Sequence, residues 1–156
     1  MHSLPYKIHV TILATTKGKV EMRTASIVFL CILALAGCAT RPVGADDAKP
    51  GTIIQNPWLS PLPGTGEVLV IRDKGYMGSA CAEKIYVDSQ EVAELRTSQR
   101  VSVYLPPGEH IAGVQPTSIC AGGSAALSIN VVAGRRQVYR VARQQSGDLK
   151  IEPSAF

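Results

Sequence analysis

Lys84-Ile85-Tyr86-Val87-Asp88-Ser89-Gln90-Glu91-Val92-Ala93-Glu94-Leu95 is the stretch whose reading decides the fold. Residues 84–88 alternate polar and apolar. A short polar break, Ser89-Gln90, follows, and residues 91–95 form a second run. A period of two places Ile85 and Val87 on one face, as in a strand with one side buried. Two such runs with so short a break between them read as a hairpin.

Outward from this hairpin the pattern repeats. Val101, Val103 and Leu105 share one face of the run 100–105, and Pro106-Pro107-Gly108 then turns the chain, because proline presets φ and glycine permits the reversal. His110–Val114, Ala126–Val132, Gln137–Ala142 and Leu149–Glu152 read as further strands, with Ala133-Gly134-Arg135 as a turn between two of them. Upstream, Val68-Leu69-Val70-Ile71 is a nearly continuous apolar strand. No segment after Cys38 has a helical period. The expected fold is all-β: an antiparallel β-sandwich of about seven to eight strands over residues 67–156.

Ile85-Tyr86-Val87-Asp88, Val92-Ala93-Glu94-Leu95 and Leu105-Pro106-Pro107-Gly108-Glu109-His110 together resemble an uncharacterised group of bacterial envelope lipoprotein domains, similar in layout to PEGA-type surface β-domains. The group's pattern is a strand ending in Asp-Gly, a strand with a small apolar motif, then a Pro-Gly turn with histidine on the next strand. Here Ser89 stands where the turn glycine would be. The resemblance covers roughly residues 67–143 and implies a fold but no activity.

Residues 38–66 contain five prolines (42, 50, 57, 61 and 63) and several glycines. Proline removes a backbone donor and fixes φ, so this stretch is expected to be a flexible, extended tether. Trp58, the only tryptophan, lies within it. It reads either as an anchor for a partner or a lipid interface, or, preferably, as a residue that folds back onto the domain.

Residues 25–36, ASIVFLCILALA, form an uncharged apolar run of 12 residues, preceded by Met22-Arg23 and followed by Gly37-Cys38. It is too short to span a bilayer, which takes about 20 residues, but it fits the apolar core of a signal peptide over residues 22–37. Leu35-Ala36-Gly37-Cys38 resembles the lipobox of bacterial lipoproteins. The resemblance implies cleavage before Cys38, a diacylglyceryl group on its thiol and acylation of the new amino terminus. Two or three acyl chains make a durable membrane anchor where one holds only marginally. Ala39, where an aspartate would favour inner-membrane retention, implies the outer membrane, facing the periplasm, if the source is Gram-negative. Residues 1–21 read as a non-native extension, with translation beginning at Met22.

Charge argues against a nucleic-acid partner. Of 16 basic and 12 acidic residues, Lys7, Lys17, Lys19, Arg23 and Glu21 precede Cys38, leaving 12 and 11 from there onward. A nearly neutral domain with few aromatics offers neither a basic patch nor a stacking platform. Cys31 leaves with the signal peptide and Cys38 takes lipid, so Cys81 and Cys120 remain as an even pair in an exported chain, which reads as one disulfide. Free thiols or a metal pair are the alternatives.

Motifs of catalysis are missing: no Gly-x-Ser-x-Gly elbow, phosphate loop or zinc-binding histidine spacing occurs. His110 is the one histidine after Cys38. It could join Asp88 and a serine in a triad, but a lone strand histidine reads first as a structural, hydrogen-bonded residue. Four arginines lie within residues 135–143, and Arg136 and Arg140 should share a strand face. They are candidates for an anionic partner, such as lipid headgroups or cell-wall carboxylates, or else simply a solvated strand face that discourages edge pairing. The sequence therefore points to a non-catalytic envelope lipoprotein acting as a binding or structural module, without metal or cofactor. Its partners would be the membrane, through Cys38, and an envelope protein or the cell wall. The alternative is an accessory or enzymatic domain acting on envelope material, which a deep pocket converging on His110 would favour.

Overall fold

A computed structural model describes residues 40–154 except Met77 and Ile119. The extension, the signal peptide, the lipobox and Cys38 lie outside the described residues.

The hairpin forms as its pattern requires. β4 (Glu83–Val87) and β5 (Gln90–Leu95) are antiparallel, with Val87 opposite Gln90. Asp88 and Ser89 turn the chain at φ of 47° and 69°. A two-residue hairpin turn of this hand wants φ > 0 at both positions, so Ser89 adopts the conformation that the resembled group assigns to glycine.

The other strands are β1 (Lys49–Pro50), β2 (Thr52–Ile53), β3 (Gly66–Arg72), β6 (Gln99–Leu105), β7 (Gly108–Pro116), β8 (Ala125–Val131), β9 (Arg136–Arg143) and β10 (Leu149–Ser154). They form two five-stranded sheets, ordered β1-β6-β3-β9-β10 and β2-β5-β4-β7-β8. The second sheet is antiparallel throughout. The first is mixed, because β9 runs parallel to β3 and β1 parallel to β6, which corrects the wholly antiparallel expectation. The chain crosses from β8 in one sheet to β9 in the other and arrives beside β3 in the same direction. Alternation reports which face of a strand is buried and carries nothing about a neighbour's direction.

Between the sheets lie Val68, Val70, Ile85, Val87, Val92, Leu95, Val101, Val103, Leu105, Ala112, Val114, Ile129, Tyr139 and Val141. β3 is buried on both faces. Leu69 and Ile71 point outward yet are fully covered, because Val43 and Ala48 pack over them. A continuous apolar strand needs cover on both sides, and here the cover comes from the segment expected to be a free tether.

That expectation is corrected along most of its length. Arg41 bridges Lys74, β1 pairs with β6, and β2 pairs with β5. At Gly51 the chain passes from one sheet to the other so tightly that a Cβ would lie 2.3 Å from Leu95 Cδ2. Asn56 caps a single 3-10 turn, Pro57–Leu59, whose Trp58 and Leu59 pack against the inter-sheet core. Trp58 therefore folds back onto the domain. The prolines do not keep the segment off the sandwich.

Candidate functional site

At one end of the sandwich the structure brings His110 and Asp88 together. Nδ1 of His110 lies 2.7 Å from Asp88 Oδ2, and Nε2 lies 2.9 Å from the Pro106 carbonyl. Asp88 Oδ1 also accepts the Ile111 backbone N–H. The pair thus ties the β4–β5 turn to the start of β7. Both ring nitrogens face acceptors, so the ring is best satisfied as the doubly protonated cation, with no lone pair to act as a base. The neighbouring depression, about 350 Å³ on the outer face of the second sheet, is lined by Tyr86, Ser89, Ile111, Gly113 and Gln115 among others, not by His110.

Partial burial disfavours the charged imidazolium, but the hydrogen bonds to Asp88 and to the Pro106 carbonyl outweigh it and raise the His110 pKa. Burial likewise opposes ionisation of Asp88, and its bonds to His110 and the Ile111 amide prevail, holding its pKa below the usual carboxylate value. A raised histidine contributes stability that is complete below about pH 6.5 and fades as pH climbs through its folded pKa; a lowered aspartate contributes above about pH 4 and fails on acidification. The domain should therefore lose stability as pH rises from 6 toward 9. His110→Gln should flatten that slope, as read from urea midpoints across this range. An unchanged slope in the variant would remove the clamp.

The opposite end holds a constellation that sequence reasoning missed. Glu83, fully buried, forms an ion pair with Arg72 at 3.1 Å and accepts from Arg143 Nη2 at 2.7 Å. Arg72 also donates to the Gly78, Cys81 and Leu95 carbonyls, and Arg143 to those of Ala121 and Gly147. Burial lowers the Arg72 pKa, with Glu83 opposing. The two arginines thus grip the loops on either side of the Cys81–Cys120 disulfide, whose Cα atoms are 6.1 Å apart. That bond is the one expected from the cysteine count. Among the described residues no cluster of His, Cys, Asp and Glu could hold a metal ion.

Arg136 and Arg140 meet different fates. Arg140 pairs with Asp73 at 2.5 Å and donates to the Val43 carbonyl at 3.0 Å and to Ser154. Asp73 in turn accepts the Val43 N–H. This arginine clamps the covering segment and is 15% exposed. Arg136, 55% exposed, pairs with Glu67 at 2.7 Å. It borders an open basin of about 340 Å³ on the outer face of the first sheet, together with Glu67, Arg100, Ser102, Tyr104 and Ile53.

No protein-family model matches the chain, and no curated protein matches it in sequence. Among solved structures, the N-terminal domain of AlgF from P. aeruginosa is similar. It is 14% identical with a TM-score of 0.36, covering 61% of this chain and 99% of that domain. A superposition so loose says nothing about function.

Proposed function

We propose that this chain is an exported envelope protein, anchored by lipid on Cys38 and facing the periplasm from the outer membrane, that works by binding rather than by turnover. The Cys81–Cys120 bond carries the reading. Such a bond persists in an oxidising compartment, which is where the lipobox would deliver the domain. The enzymatic alternative would need His110 as a base, and its engagement at both ring nitrogens argues against that use. The binding site we favour is the basin between Arg136 and Arg100, where an anionic envelope component would compete with Glu67 for Arg136; that guanidinium is well exposed, whereas Arg140 is largely covered and committed to Asp73 and Val43.

Labelled palmitate should enter the parent protein and not Cys38→Ser, which should also leave the membrane fraction. Equal labelling of the two would end the lipoprotein reading. Arg136→Gln should weaken retention on isolated envelopes roughly two- to fivefold at low salt, the scale of one exposed charge. The difference should vanish near 1 M salt, where the Debye length falls to about 3 Å. Equal retention at low salt would discard the basin. Hydrolysis of envelope material abolished by His110→Ala would overturn the binding reading.

A further inference from the structure

The fold takes hold close to Cys38. The Thr40 hydroxyl donates to the Arg143 carbonyl at 3.5 Å, and Arg41 and Lys74 exchange backbone hydrogen bonds of 2.7 and 3.0 Å. Two residues of chain span at most about 7 Å. A lipid on Cys38 would therefore reach the bilayer from this end of the sandwich directly, with no long spacer between.

The surface at this end suits a lipid interface. Arg41, Lys74 and Arg96 are exposed there, and Arg96 is held beside the β3–β4 loop by a 3.0 Å bond to the Ala80 carbonyl. Asp46 and Asp47 on the covering segment are exposed, but the carboxylates beside Lys74 and the disulfide are engaged. Asp73 is turned inward onto Arg140 and is 7% exposed, and Glu83 is fully buried. Asp148, exposed on the β9–β10 loop, is folded back onto the Gly123 amide and Ser146. Tyr76, two residues beyond Lys74, is 78% exposed, more than any other large apolar side chain among the described residues. Described residues near it are anchored: Ser79 N–H donates to the Tyr76 carbonyl, Arg72 donates to the Gly78 and Cys81 carbonyls, and the disulfide ties Cys81 to Cys120. A ring presented between basic side chains matches the headgroup region, where tyrosine seats its apolar body and polar tip and Lys and Arg are drawn to anionic lipid.

We propose that the end of the sandwich bearing Arg41, Lys74, Tyr76 and Arg96 lies against the membrane surface and engages anionic lipid headgroups. This rests on the acylation of Cys38 in the reading above. It sets the His110 end away from the bilayer, separated by the length of β3, about 20 Å.

The test uses the acylated chain purified from membranes and reconstituted in phosphatidylcholine vesicles with phosphatidylglycerol and brominated acyl chains. The parent, whose sole tryptophan is Trp58, gives the baseline. Tyr76→Trp, a conservative change at an exposed position, should add a second, strongly quenched emission. Removing phosphatidylglycerol, or introducing Arg41→Gln with Lys74→Gln, should reduce that added quenching at least twofold. A quenched signal indifferent to both changes would overturn the headgroup recognition. An added emission that is not quenched, on protein whose Cys38 carries acyl chains by mass spectrometry, would overturn the orientation and leave the lipoprotein reading intact. Absence of acyl chains on Cys38 would remove both.

Discussion

Glu83→Ala is expected to lower the unfolding free energy of the domain by about 3–5 kcal/mol, read as a fall in the urea midpoint, because it leaves two buried arginines without a counter-charge. Arg72 is 3% exposed and Arg143 9%, and Glu83 is the only carboxylate with which either forms an ion pair in the described residues. Backbone carbonyls remain as acceptors for both guanidinium groups, but a carbonyl dipole does not offset a full charge removed from water. Glu83→Gln separates charge from shape. It keeps the volume and can still accept at one oxygen, so a loss close to that of alanine assigns the effect to charge. A glutamine variant as stable as the parent would mean that packing alone fixes this position, and the ion cluster would lose its role. Arg140→Gln belongs to a different network, with Asp73 and Val43, so its cost should add to that of Glu83→Ala.

The cluster also marks where sequence reasoning stops. Period two in the β4 hairpin located the strands, and Ile85, Val87 and Leu95 are fully buried as it required. Followed one step further back, the same period puts Glu83 on the inward face with Ile85 and Val87, and it puts Arg143 inward after Val141. Hydropathy pulls the other way: a lone charged residue at a strand end reads as the start of a loop. Only the meeting of Arg72, Glu83 and Arg143 across the two sheets resolves the conflict, and that meeting depends on partners far apart in sequence. The same holds for the covering segment. Four consecutive apolar residues, Val68 to Ile71, announced a strand but not what would cover its second face, while proline content made residues 38–66 look like spacer. Proline limits ladder length, but it does not prevent Val43 and Ala48 from packing on Leu69 and Ile71. The cysteine pair was legible because compartment and even count constrain it without reference to topology, and His110 read as a hydrogen-bonded strand residue, but its partner Asp88 was named only as a possible triad member that no spacing favoured. Strand direction was not legible, since parallel and antiparallel neighbours bury the same alternating faces.

Opening the Cys81–Cys120 bond, by reduction or by replacing both cysteines with serine, is expected to cost about 4 kcal/mol, the chain-entropy value for a loop closed over a separation of 39 residues. The loss should not be independent of Glu83. Arg72 donates to the carbonyl of Cys81 itself and to that of Gly78, and Arg143 donates to that of Ala121, next to Cys120. The crosslink thus holds in place the acceptors that satisfy the buried guanidinium groups, while the guanidinium groups hold the loops at a separation the crosslink can span. Once Glu83 is lost and the arginines seek water, the loops they grip loosen, and the disulfide then restrains a native state already disordered at that end. The double-mutant cycle between Glu83→Ala and the serine pair should therefore show a coupling of roughly 1–2 kcal/mol, the two losses summing to more than the combined variant suffers. Denaturant midpoints of the four proteins, taken at one pH and without reductant, measure it. Strict additivity would separate the ion cluster from the crosslink and make each a local device. The expected coupling makes them one structure, complete only once the disulfide has formed. It also means that reduction should loosen first the loop bearing Tyr76, visible as faster amide exchange across residues 74–82 than in the β4–β5 hairpin.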